Sequence, residues 1–193
     1  MGYRNWLQTL GLSALATAGV VAVGAQTALQ PTPALAQLSR TCQGFTLFGG
    51  VDAEYRLAYC IDNNERRDTR ARYYLKVAGR VVPRDIIELE ISYPEAFEEE
   101  GGYFTSATIE LREGTGRGDA DIPIAEVVVD PETNLLEIYP EEPIPANTSF
   151  IVVLSDVRNP NRYGLHNFNL NVMYQGDSFR QFVGLWALDV AAE

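Results

Sequence analysis

One histidine and two cysteines set the limits on catalysis in this 193-residue chain. His166 alone cannot build a multi-histidine zinc or copper centre. A Ser-His-Asp arrangement would also have to use it, and Ser155 and Asp156 lie close by in sequence. Nearness in sequence means little for a triad, and the chain has no Gly-x-Ser-x-Gly elbow, so His166 reads as an ordinary loop histidine. Neither Cys42 nor Cys60 stands in a nucleophile signature or a C-x-x-C pair. Gly114-Thr-Gly116-Arg-Gly118 lacks the lysine of a phosphate loop and opens no helical pattern. Glu98-Glu99-Glu100 and Glu141-Glu142 could act as glycosidase carboxylates, but such pairs come from separated strands facing a cleft, and solvated loop charge is the better account. Asp62-Asn63-Asn64 and Asp130–Asn134 offer oxygen ligands to calcium without the spacing of an EF-hand loop. The expectation is no catalytic residue, no metal and no cofactor.

What remains is a candidate recognition loop. Between Asp156 and Asn167 the chain gathers Arg158, Asn159, Arg162, Tyr163 and His166 around Asn159-Pro160-Asn161 and Gly164. Loops carried by a rigid sheet are where binding residues concentrate, so these five are the candidate binding residues. The competing reading is that Asn-Pro-Asn and Gly164 only reverse the chain. Tyr55, Tyr59, Tyr73, Tyr74 and Tyr103 could form a carbohydrate-stacking platform, although tyrosines on strands more often pack in cores.

The cysteines fit an exported protein. Arg4 precedes an apolar stretch from Leu7 to Ala25, and a polar segment then leads to Pro33-Ala34-Leu35-Ala36. That is the pattern of a secretory signal peptide, cleaved after Ala36. The run Leu10–Ala25 is 16 residues, short of the roughly 20 a spanning helix needs. No twin arginine accompanies Arg4 and no cysteine follows the cleavage site directly. The remaining 157 residues, 37–193, are one domain's worth. In an oxidising compartment Cys42 and Cys60 are expected to pair, stapling the 37–70 region. The 17-residue loop they would close is worth about 3 kcal/mol.

Composition excludes further classes. With 46% hydrophobic and 21% charged residues the chain is neither disordered, collagen-like nor a coiled coil. Its net charge of −11 argues against nucleic acid as a partner. The charge is unevenly placed. Residues 37–84 hold nine Arg/Lys against five Asp/Glu, whereas residues 85–142 hold two against 17. An acidic belt keeps a secreted protein soluble; opposed basic and acidic faces would also serve docking.

The elements that must position the loop read as strands. Ile87, Leu89, Ile91 and Tyr93 alternate with polar residues, as do Ala107, Ile109, Leu111 and Phe168, Leu170, Val172. Val127–Val129, Phe150–Leu154 and Phe182–Leu188 are apolar on both faces and suit the middle of a sheet. Tyr73, Leu75 and Val77 make another strand, and Leu136–Tyr139 one more. Asn64–Arg72 is the best helical candidate. Turn signals at short intervals then predict an all-β fold, an antiparallel immunoglobulin-like sandwich of seven to nine strands.

Ala71-Arg-Tyr-Tyr-Leu75, Ala107–Leu111, Pro143–Phe150, Ile151–Leu154, Val157–Pro160, Tyr163–Phe168, Gly176-Asp177 and Phe182–Gly184 occur in an order that resembles a family of exported cyanobacterial proteins, domain of unknown function 2808. The resemblance spans about residues 71–190. It departs from the family at Met173-Tyr174-Gln175, where the family has a proline before its Gly-Asp turn. It departs again at Asn147, in place of the glycine of a Pro-x-Gly-Thr turn; asparagine can supply positive φ there nearly as well. The resemblance implies export and supplies no activity. The expected function is a secreted, non-enzymatic module in the periplasm, thylakoid lumen or cell envelope that binds a protein or glycan. The alternatives are a carboxylate-dependent hydrolase of cell-wall or exopolysaccharide, and an assembly subunit that pairs through a strand edge.

Overall fold

The computed structural model describes residues 53–104 and 107–191. The expected signal peptide with its cleavage after Ala36, and Cys42, lie outside the described residues. Ten strands form two five-stranded antiparallel sheets. The first has the order β1 (Tyr59–Asp62), β2 (Ala71–Val77), β8 (Phe150–Val157), β4 (Thr108–Glu113), β5 (Ala120–Ile122). The second runs β10 (Gln181–Val190), β9 (Gly164–Tyr174), β3 (Ile86–Ser92), β7 (Leu135–Pro140), β6 (Ile124–Asp130). Strands β1, β2, β8 and β4 against β3, β9 and β10 have the ABED and CFG pattern of an immunoglobulin-like sandwich. The count exceeds the expected seven to nine because β5–β7 are added between the fourth and fifth strands of that pattern. Pro123 separates β5 from β6, and there the chain leaves one sheet for the other.

Alternation fills the space between the sheets. Tyr73, Leu75 and Val77 of β2 and Val152 and Leu154 of β8 meet Leu89, Ile91, Phe168, Leu170, Val172, Trp186 and Leu188, all buried. Phe150–Leu154 does lie in the middle of a sheet. Two other assignments are corrected. Val127–Val129 belongs to β6, an edge strand with Val128 36% exposed. β10 is also an edge, and its outer side is covered because the Leu57 amide donates to the Leu185 carbonyl at 2.8 Å. Apolarity on both faces of β10 thus reflects local cover by the Leu57 segment, which periodicity does not report, whereas in β6 it leaves Val128 exposed. Ile87 is exposed instead of buried because the β3–β9 register shifts between Ile86 and Glu88, and the bulge turns Ile86 inward.

The helical candidate is wrong as well. Asn64–Arg72 is a loop that runs into β2, with Arg67 at φ 63°. The one α-helix among the described residues is α1 (Glu95–Glu99), entered at Pro94 with Glu95 and Glu98 in its first turn, where acids complement the dipole. Phe97 anchors it, fully buried among Tyr93, Phe104 and Phe168 at centroid distances of 4.8–6.1 Å. No helix among the described residues is long and apolar enough to cross a membrane.

Candidate functional site

Three segments converge where β2 begins and β8 ends: the 63–70 loop, α1 with its exit to Tyr103, and the 158–163 loop. A bulge starts the construction. Ala71 pairs with Val157 but Tyr73 with Leu154, so β8 holds one extra residue, and Asp156 takes φ 60°. Short polar residues tolerate that left-handed conformation best. Beyond the bulge, backbone bonds pin the loop on both sides. The Asn159 amide donates to the Asp68 carbonyl at 2.8 Å, Arg67 N–H to Pro160 at 3.1 Å and Asn161 N–H to Glu100 at 2.7 Å. Tyr103 and Arg158 exchange both backbone bonds at 3.2 Å.

The five candidate residues divide by burial. Asn159 is fully buried and structural: its Oδ1 accepts from the Tyr73 hydroxyl at 2.7 Å, while its Nδ2 donates to the carbonyls of Asn63 (3.1 Å) and Glu65 (2.8 Å). His166 is on β9, not in a loop, with its ring edge-on to Phe97 at 5.4 Å and its Nε2 buried without a partner. Burial holds its pKa below the ordinary histidine value, opposed by the nearby Glu100 charge. Gly164 makes room for this ring, since a Cβ there would come 2.6 Å from Nε2. The Ser155 hydroxyl accepts the Arg72 Nε–H at 2.8 Å. Arg158 is half-buried with its guanidinium 5.6 Å from the Tyr103 ring centroid. Arg162 and Tyr163 are exposed, Tyr163 at 61%, its hydroxyl 3.2 Å from the Asp189 carboxylate.

Arg162 lines a cleft of about 360 Å³ with Arg67, Glu99, Glu100 and Asn161. The Arg67 Nε–H donates to Asn161 Oδ1 at 2.9 Å, which fixes that amide. Glu100 Oε2 is buried without a hydrogen-bond partner, although the residue faces the cleft. None of the ion pairs among the described residues engages Arg67, Arg162, Glu99 or Glu100. The cleft therefore sets free donors beside free acceptors. Sequence reasoning found Arg162, weighed Glu99 and Glu100 only as solvated loop charge, and missed Arg67; the three lie 62 to 95 residues away. The basic 37–84 block was the only signal for Arg67.

The other sequence candidates are accounted for elsewhere. Tyr73, Tyr74 and Tyr59 are buried, leaving Tyr55 and Tyr103 as exposed members of the suggested aromatic platform. The Asp130 carboxylate accepts from Glu132 N–H at 2.9 Å and Thr133 Oγ–H at 2.7 Å, closing the β6–β7 turn; these bonds hold its pKa low. Asp62 pairs with Arg117 at 2.7 Å, and Asn64 pins Asp189 and Ala191. In the acidic block, Glu88, Glu90 and Glu137 gather around Arg180 on the outer face of the second sheet. Glu141 and Glu142 face Glu113 and Asp121 in a separate cleft of about 420 Å³ floored by Pro143, Ile144 and Pro145. Cys60 is buried on β1 beside Tyr74, Ile151 and Val153; the Cys42 end of the expected bridge lies outside the described residues.

The profile of the family described as "Protein of unknown function (DUF2808)" matches residues 45–190, and the chain belongs to that family. No curated protein matches the chain. Among solved structures, a collagen-binding domain from a Staphylococcus aureus adhesin aligns at 13% identity and a TM-score of 0.36, covering 61% of this chain and 85% of that one. The collagen adhesin of S. aureus aligns at the same identity and score, with 43% of its chain covered. A structure of manganese lipoxygenase of Gaeumannomyces graminis with part of zonadhesin of Komagataella pastoris aligns at 10% identity and a TM-score of 0.39, covering 73% and 50%. Collagen binding is a property of those adhesins.

Proposed function

We propose that this domain is an exported, non-enzymatic binding module that takes a glycan of the envelope or lumen in the cleft at the β2 and β8 end. The observation that carries this reading is the unpaired set Arg67, Arg162, Glu99 and Glu100 on segments fixed by backbone bonds. A sugar hydroxyl donates one hydrogen bond and accepts others, so it suits a wall that offers both functions side by side. The volume is that of an ordinary small-ligand site. Tyr163, which follows Arg162 in sequence, is exposed outside the cleft lining and adds aromatic surface beside it.

Sedimentation of the purified protein with insoluble peptidoglycan and with exopolysaccharide tests the proposal. Retention is expected to fall roughly tenfold in Arg67→Ala/Arg162→Ala, the loss of two charge-assisted contacts. Retention by neither polymer, or equal retention of the double variant, would overturn it. The hydrolase alternative would use the acidic cleft of Glu113, Asp121, Glu141 and Glu142. Release of reducing sugar that disappears in Glu141→Gln would favour that alternative.

A further inference from the structure

The opposite end of β2 has the reverse electrostatics. A pocket of about 230 Å³ is floored by Leu57, Val77 and Phe150 and rimmed by Arg56, Lys76 and Arg80, with no carboxylate in its lining. What marks this pocket is that three cations converge on one lining that contains no carboxylate. Arg84, Arg112, Arg117 and Arg180 all hold ion pairs. Arg56, Lys76 and Arg80 hold none among the described residues, and Arg56 Nε is buried without a hydrogen-bond partner. A desolvated guanidinium donor left unpaired is costly, and an anion in the pocket would satisfy it.

We infer that this pocket binds a small amphiphilic anion: a carboxylate or phosphate group held by Arg56, Lys76 and Arg80, with a short apolar tail against Leu57, Val77 and Phe150. The two halves of the ligand follow from the two halves of the wall. Three cations with no carboxylate in the lining select the charge, and the buried aliphatic and aromatic floor selects the tail. The volume lies below that of most drug-sized sites, so the tail is short. The walls are set before binding. The Lys76 amide donates to the Ala58 carbonyl at 2.9 Å, the Lys76 carbonyl accepts the Trp186 indole N–H at 3.1 Å, and Gly79 N–H donates to Ser149 Oγ at 2.9 Å. Thr115 in the lining supplies a hydroxyl that can donate to the same head group. This site shares no residue with the glycan cleft and does not depend on it.

Calorimetric titration of the purified protein with hexanoate, hexyl phosphate, inorganic phosphate, hexanol and hexylamine tests the inference. Hexanoate or hexyl phosphate should bind with one-to-one stoichiometry and more tightly than inorganic phosphate, hexanol or hexylamine. The tighter of the two anions identifies the head group. Arg80→Gln, on an exposed turn, and Lys76→Gln should each weaken that binding roughly tenfold. Failure of both alkyl anions to bind at millimolar concentration would overturn the assignment. So would hexylamine binding as tightly, inorganic phosphate matching hexyl phosphate, or unchanged affinity in both variants.

Discussion

The two ends of β2 both draw on the basic 37–84 block and use it differently. At the Ala71 end, Arg67 and Arg162 stand beside Glu99 and Glu100 over a polar cleft. At the Val77 end, Arg56, Lys76 and Arg80 stand over an apolar floor with no acid in the lining. The origin of the difference is which distant segment arrives at each end. The acidic helix α1 is carried to the first end by Phe97 docking into the aromatic cluster. The acidic 141–142 segment arrives at the other end of the fold but lines a separate cleft with Glu113 and Asp121, leaving the three cations without an ion pair among the described residues. Charge counted along the chain therefore says little about charge in a site; topology decides which blocks meet.

The largest expected effects come from disabling one end at a time. Gly79 lies against the Asn147 carbonyl so closely that a Cβ would overlap it, and the obstructing atom is backbone. Gly79→Ala should cost about 3 kcal/mol or more in denaturant unfolding and abolish anion binding next door. Asn159→Ala should cost about 3 kcal/mol, because it leaves the fully buried Tyr73 hydroxyl and the carbonyls of Asn63 and Glu65 without their partner. Adding Tyr73→Phe should recover part of that loss, since the orphaned hydroxyl goes too. In the folded fraction of each variant the opposite site should keep its affinity. Joint loss of both sites in either variant would mean the ends are not independent.

Much of the scaffold was legible in sequence because alternation is a local property. β2, β3 and β9 follow from it, and β8 follows from its continuous apolar run; the left-handed turn at Asn147, whose φ is 62°, was implied by the family resemblance. The edge positions of β6 and β10 were not legible, since apolar residues on both faces look the same whether a sheet or a passing segment covers them. α1 was missed because five residues make little more than one turn, too short for a helical period to register. In the site, Arg162 and Tyr163 were legible as exposed loop residues. Asn159 and His166 were not separable from them by type, as burial alone assigns these two to the scaffold. The unpaired cations at the other end are a relation among residues up to 24 positions apart, and no spacing rule encodes it.

A smaller effect separates the ends by pH. His166 is buried beneath the cleft end and its folded pKa lies below the unfolded value of about 6.5. Above that value both states are neutral and the residue contributes no pH dependence. As pH falls below it, the unfolded state takes up the proton first, so the fold loses stability until pH reaches the lowered folded value. The protection factors of residues 158–166, corrected for the intrinsic pH dependence of amide exchange, should therefore fall between pH 7 and pH 5, with those of residues 77–82 little changed. His166→Phe should flatten that response. An equal response at both ends would assign the pH dependence to carboxylates in general.

The smallest effect tests the two residues that bend the chain on either side of β8. Asn147, three residues before its start, and Asp156, one before its end, both adopt left-handed φ, 62° and 60°. Glycine at either position would relieve the strain on the backbone but add freedom to the unfolded chain, and the two terms are each about 1 kcal/mol. Asn147→Gly and Asp156→Gly should therefore stay within about 0.5 kcal/mol of the parent. Alanine keeps the Cβ and loses the short polar group that eases this conformation, so Asn147→Ala and Asp156→Ala should each cost about 1 kcal/mol. The two alanine variants should differ in what they disturb. Asp156 sets the bulge that launches the 158–163 loop, so its alanine variant should weaken glycan retention while leaving hexanoate affinity unchanged. Asn147 touches Gly79, so its alanine variant should do the opposite. If Asp156→Ala keeps full glycan retention at the measured loss of stability, the bulge serves the fold alone and the cleft is positioned by the bonds to Asp68 and Glu100.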